Sequence, residues 1–164
     1  MVWARPDVWY SSIVDTKRVA SDSQLVHAAD LIVYGRYDTA MQVIRTNRKV
    51  RSGKLVNYIQ HFHVRHAFKG STGPIIRIVS TGVEPLPQPG KPIHKTYPGP
   101  VAEGAYLIFL KKINGRDLYR LIGGWQGLYP VENGKLVALQ DAGFPVLQGM
   151  PIEQVKAYIE EKRT

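Results

Sequence analysis

One run constrains this chain more than any other: Leu55–Gly70, LVNYIQHFHVRHAFKG, whose side chains alternate in character almost to its end. Successive side chains of an extended strand point to opposite faces. Val56, Tyr58, Phe62, Val64 and Phe68 therefore share one face, and Asn57, His61, His63 and Arg65 share the other. The first face reads as core and the second as wet. At about 3.3 Å per residue, roughly fourteen residues span about 46 Å, well beyond the usual strand of five or six, so the strand is expected to coil or bend through a barrel. Gly70 then releases the chain.

The flanking segments supply partners for that strand. Residues 1–20 begin with Trp3, Trp9 and Tyr10 but sustain no period, and are expected to lie on the domain as an arm with those rings partly buried. Ser21 or Asp22 can accept the free amides of a short helix carrying Leu25, Val26, Ala28 and Ala29 and ending near Asp30. Residues 30–46, DLIVYGRYDTAMQVIRT, read as a first strand, with a bulge or close backbone approach at Gly35. Residues 46–54, TNRKVRSGK, form a polar turn that delivers the chain into Leu55–Gly70 as its antiparallel partner. Residues 73–83 are a third strand, with Ile76 and Ile78 on one face, Ile75 and Val79 on the other and both faces buried; Arg77 is expected to reach an edge.

Six of the eleven prolines fall in residues 84–104, so that stretch reads as a long loop that either binds something or packs stiffly on the barrel. Residues 105–113 and 116–124 are strands four and five, turning at Asn114-Gly115. A further pair lies at Leu128–Val131 and Leu136–Leu139, and DAGFPVLQG after it is irregular. Pro151 opens a last helix, 151–163, with Ile152, Val155 and Ile159 on its apolar side and Lys162 and Arg163 at its negative end. The expectation is one mostly-β domain over residues 21–164, preceded by the arm, with a helix at each end of the barrel.

Composition narrows the function classes. The 164 residues are 44% hydrophobic and 21% charged, which suits a globular fold with a substantial core. No apolar run approaches the roughly 20 residues of a membrane-crossing helix, and MVWARPDVWYSSIV lacks the apolar core of a signal peptide, so the chain as given is expected to be soluble. With no cysteine, disulfides, thiolate metal sites and cysteine nucleophiles are all excluded. A net charge of +9 favours an anionic partner, whether nucleic acid, an anionic surface or an acidic protein.

Several constellations could carry function. Arg45, Arg48, Lys49, Arg51 and Lys54 stand within ten residues without an acid among them, with Arg36 before them; they read as a phosphate-contacting tip or as a solvated turn. Tyr34, Tyr37 and Tyr58 lie near them in sequence and are either stacking platforms or core. His61 and His63, at alternate strand positions, could share one metal ion, with His66 on the opposite face packed near the core; His27, His94 or a carboxylate would have to complete the site. In GGWQG, residues 123–127, the glycines suggest a bulge that aims Trp125 either inward as a plug or outward as a binding platform. Asp30, Asp38, Glu103 and Asp117 are scattered, and no nucleophile elbow, zinc-protease helix or dinucleotide fingerprint is present. An enzyme is the least supported class, and no cofactor is expected.

The order of these pieces resembles bacterial domains of the netrin-like group, which includes the tissue inhibitors of metalloproteinases. The resemblance covers roughly residues 25–139 and rests on Ala29-Asp30, Phe68-Lys69-Gly70, Gly104 before Tyr106-Leu107, and Gly123-Gly124 with Gly127. It implies a five-stranded Greek-key barrel of the oligonucleotide/oligosaccharide-binding (OB) type with flanking helices. It also implies a non-enzymatic binding module, exported or lipid-anchored in many relatives, hence a protein partner and a place at the cell envelope. The inhibitors' protease-blocking wedge is built on an N-terminal cysteine, so inhibition is not carried over to a chain without cysteine. The alternatives are a basic module binding single-stranded nucleic acid through residues 45–54, and a histidine-dependent metal-binding protein.

Overall fold

A computed structural model describes residues 13–88, 91–113 and 117–164. Trp3, Trp9, Tyr10 and the Asn114-Gly115 turn lie outside the described residues. Helix α1 (Asp22–Ala28) is capped by Ser21, whose Oγ accepts from Gln24 N at 3.1 Å while Gln24 Oε1 accepts from Ala20 N at 2.7 Å. The first bond satisfies an amide that the helix start would leave free, and the second ties down the residue before the cap. At its other end Lys69 Nζ donates to Val26 O and His27 O, at 3.0 and 3.2 Å, closing the last carbonyls. Burial, followed by the Arg163 charge, pulls the Lys69 ammonium below its ordinary value.

Strands β1 (Leu31–Val50) and β2 (Gly53–Lys69) form one long antiparallel hairpin. It turns at Arg51-Ser52, so β1 runs past the expected boundary at Thr46. The cause is a local irregularity that the strand absorbs: between Arg45 and Arg48 the register shifts, Asn47 takes φ 64°, and Thr46 Oγ1 donates to Leu55 O at 2.7 Å. Gly35 sits at another register shift, and a Cβ there would overlap the His63 carbonyl, as expected of a close backbone approach.

β3 (Ile75–Glu84) pairs antiparallel with β2, and β4 (Gly104–Lys112) pairs antiparallel with β1 over Leu31–Tyr37. β5 (Leu118–Leu121) pairs antiparallel with β4 and parallel with β3. The order β1-β2-β3-β5-β4, returning to β1, closes a ring through five strands. β6 (Leu128–Glu132) continues the sheet from β4, and β7 (Lys135–Leu136) pairs with β6. A 3₁₀ turn at Ile152–Gln154 leads into helix α3 (Val155–Arg163), numbered after α2, a single turn at Ile93–Thr96.

Alternation on β1 and β4 feeds two cores. Val33, Tyr37, Ile108 and Leu110 join Phe62 and Ile78 in one cluster; Ile32, Leu107 and Phe109 join Leu25 and Val26 of α1 and Tyr158 and Ile159 of α3 in the other. Both faces of these strands are thus covered. The Tyr37 ring meets Phe62 and Tyr106 edge-on at 5.1 and 5.5 Å.

Several expectations need correction. On β2 the face with Val56, Tyr58 and Phe62 is buried, and His61, His63 and Arg65 are exposed, but Asn57 is 1% exposed where a wet position was expected. The arm explains it: Val14 packs on Ile59, Val79 and Leu118, Val14 N donates to Thr81 Oγ1 at 2.9 Å, and Thr81 Oγ1 donates to Asn57 Oδ1 at 2.6 Å. Val64 and Phe68 are half-buried, and His66 is exposed, its ring leaning on Phe68 at 4.5 Å. Ile75 is 52% exposed because β3 begins with it, at the strand's end. β5 stops at Leu121, since Gly123 and Gly124 adopt φ 65° and 59° and turn the chain into a 3₁₀ turn, Gly124–Gly127, where a bulge was expected. β7 ends at Leu136, after which Ala138 N donates to Gln148 Oε1 and leaves the ladder.

Candidate functional site

The proline-rich stretch builds the wall of a cleft. It is fastened to the strands by side chains: Gln60 Oε1 accepts from Val101 N at 2.9 Å, Gln60 Nε2 donates to Val101 O at 2.8 Å, and Ser80 Oγ donates to Gly99 O at 2.8 Å. Gly82 permits this approach, because a Cβ there would stand 2.7 Å from Gly99 Cα. Expected as loop throughout, the stretch is loop apart from the single turn α2, and Trp125 Nε1 donates to His94 O at 2.8 Å, joining that turn to the 3₁₀ turn after β5. Trp125 is half-buried, so it is neither a plug nor a free platform but part of a wall.

The cleft between these pieces encloses about 980 Å³. Pro87, Pro98, Pro100 and Val101 come from the loop, Tyr106 from β4, Leu128 and Pro130 from β6, and Leu139 from the segment after β7. The arm closes one side: Thr16 Oγ1 donates to Thr96 O at 3.2 Å, and Arg18 Nη1 donates to Asp141 O at 3.2 Å. Gln126 clamps the arm from both directions, accepting from Val19 N at 2.8 Å and donating to Val19 O at 3.1 Å. Burial pushes the Tyr106 phenol up, and its hydroxyl donates to Ala102 O at 2.8 Å. His94 Nε2 lies 3.3 Å from Pro87 O and 3.1 Å from Gln88 O, which commits that ring to the loop backbone. Among the lining residues Asp141 is the one carboxylate, so no carboxylate pair is present there for acid/base exchange. Such a surface is suited to receiving apolar groups at a rim carrying Arg18 and Lys95.

The basic residues stand elsewhere. Arg45, Arg48, Lys49, Arg51 and Lys54 are all exposed on the hairpin end, and none lines the cleft. No salt bridge to any of the five occurs among the described residues. The nearby tyrosines do not accompany them outward: Tyr37 and Tyr58 are buried, Tyr34 is half-buried, and burial raises the Tyr58 phenol. His61 and His63 are both exposed, and His63 Nε2 lies 3.1 Å from Asp38 Oδ2. The His63 hydrogen bond, then the Ala40 amide, holds the Asp38 carboxyl below its usual value. Among the described residues no group of three or more histidines and carboxylates is placed to hold a metal ion.

Sequence reasoning missed Gln60, Gln126 and the whole of the arm's contribution to the cleft. A buried glutamine inside a strand or a glycine-rich turn leaves no periodic trace; its partners are backbone groups 41 and 107 residues away. No protein-family model matches the chain, and no curated protein is significantly similar to it.

Proposed function

We propose that this chain is a non-enzymatic binding module whose partner is a protein, built on a five-stranded Greek-key barrel of the OB type and related to the bacterial netrin-like domains. The five-stranded ring with one parallel closing pair supports the barrel reading. The observation that carries the functional reading is the preformed cleft beside Trp125, apolar in its walls and lacking a carboxylate pair or an uncommitted histidine. Concave apolar sites with a few fixed polar groups are where binding proteins seat a partner's side chains. The nucleic-acid alternative has its cations on the hairpin but, among the described residues, no exposed strand tyrosine beside them on which bases could stack.

The test places a photo-crosslinking side chain at Lys95, on the cleft rim, and at Glu160, exposed on α3, as control. A defined protein captured from native extract at Lys95, absent at Glu160 and lost on Trp125→Ala, is the expected result. Equal capture at both positions, or substrate turnover that disappears on changing one polar cleft residue, overturns the reading.

A further inference from the structure

β1 has two different halves. From Leu31 to Tyr37 it is flanked on both sides, by β2 and by β4. From Met41 to Arg45 it continues in unbroken register with β2, Met41 opposite Gln60 and Arg45 opposite Val56, but no other strand pairs with it among the described residues. A strand edge in that state presents a row of unpaired amides and carbonyls. Five residues in continuous register match the length of an ordinary strand.

The side chains along that edge are not neutral about what could lie beside it. Ile44 packs on Ile59, Val79 and Leu118, so Met41, Val43 and Arg45 share the other face of β1, opposite Gln60, Tyr58 and Val56. Met41 is 45% and Val43 50% exposed, both unusually open for large apolar residues on a strand. Past them come Arg45, Arg48 and Lys49, exposed and without an acidic partner among the described residues. Apolar at one end and cationic at the other, the edge complements an extended segment with the opposite gradient.

We propose that the open edge of β1, from Met41 to Arg45 with Arg48 and Lys49 beyond, takes up an extended segment of a partner protein as an added strand. The segment is apolar beside Met41 and Val43 and acidic beside Arg45, Arg48 and Lys49. Backbone bonds supply the attachment and the alternate side chains its selectivity. This surface is separate from the Trp125 cleft and stands on the hairpin alone.

The full chain is titrated with a synthetic peptide of about twelve residues, alternating valine with threonine in one half and with glutamate in the other, while amide exchange is followed along β1. Binding with protection of the 41–45 amides is expected. A peptide with lysine for glutamate should bind at least about tenfold more weakly, as should the chain carrying Arg45→Glu, Arg48→Glu and Lys49→Glu together. Of Gln42→Pro and Val43→Pro, one removes an amide that faces β2 and the other an amide on the open edge, because backbone groups alternate sides along a strand. The edge variant, recognised by a melting temperature like the parent's, should lose binding by about tenfold or more.

Three results overturn the proposal: no protection at 41–45, equal binding of the lysine peptide, or full binding by the edge proline variant. A fourth is preference for a single-stranded oligonucleotide that engages the cations while the edge amides stay open, which makes this a phosphate-contacting surface. If the cations merely guard a bare edge, their reversal leaves peptide binding intact and promotes self-association, and the proposal fails equally.

Discussion

At the scale of single residues, burial separates positions that look alike in the sequence. Phe62 is fully buried between strands while its neighbour His61 faces solvent. Phe62→Ala should cost about 3–5 kcal/mol and His61→Ala no more than about 0.5 kcal/mol in urea unfolding. Tyr37 presents the opposite problem: its ring is packed in the core, but its hydroxyl is buried with no hydrogen-bond partner among the described residues. Burial, then the Tyr106 phenol, drives its ionisation far upward. Tyr37→Phe should therefore be neutral or stabilising by up to about 1 kcal/mol, since an unsatisfied buried polar group costs roughly that much or more.

Asp22 carries a pH signature at the same scale. Burial works to raise its carboxyl, but the Tyr158 hydroxyl, donating to Oδ2 at 2.7 Å, and the Lys162 ammonium at 3.7 Å outweigh it and hold the carboxyl below its ordinary value. A depressed carboxylate stabilises the fold above its unfolded pKa, about 4, and loses that contribution as the pH falls through the folded value. Tyr158→Phe should cost about 1–2 kcal/mol at about pH 7, with the gap to the parent narrowing below about pH 4; unfolding curves across that range check it.

At the scale of elements, the β1–β2 hairpin shows how local chemistry shapes a long pair. Gly35 is required where β1 passes the His63 carbonyl, so Gly35→Ala must push two strands apart and should destabilise by about 1–3 kcal/mol, read as a lowered denaturation midpoint. The arm is held by Gln126 through both hydrogen-bonding groups of Val19. Gln126→Ala leaves those backbone groups without their partner, and amides of residues 13–20 should exchange faster while those of β4 keep their protection.

At the scale of the whole molecule, the ring is unequally sewn. β1 and β2 share a ladder the length of the hairpin, whereas among the described residues β3 and β5 meet only in the parallel pairs Arg77–Leu118 and Ile78–Tyr119. Parallel pairing is also the less stable kind per residue. The β3–β5 seam should open first, so amides of Leu118–Leu121 should exchange before those of Leu107–Leu110 in native-state hydrogen exchange. Uniform protection around the ring would contradict this.

Alternation along Leu55–Gly70 determined by itself that Val56, Tyr58 and Phe62 face a core and that His61, His63 and Arg65 do not, because the two-residue period of a strand is a local property. The position of Gly35, the cap at Ser21 and the five exposed cations were legible for the same reason, each depending on neighbours a few residues away. What lies on top of a face is not local. Asn57 is buried because the arm crosses it, Trp125 is a cleft wall because α2 hydrogen-bonds to it, and past Tyr37 β1 pairs with β2 alone among the described residues because β4 stops pairing there. Cleft and edge alike arise from segments far apart in the chain, brought together by closure of the ring, so tertiary structure alone decided where they lie.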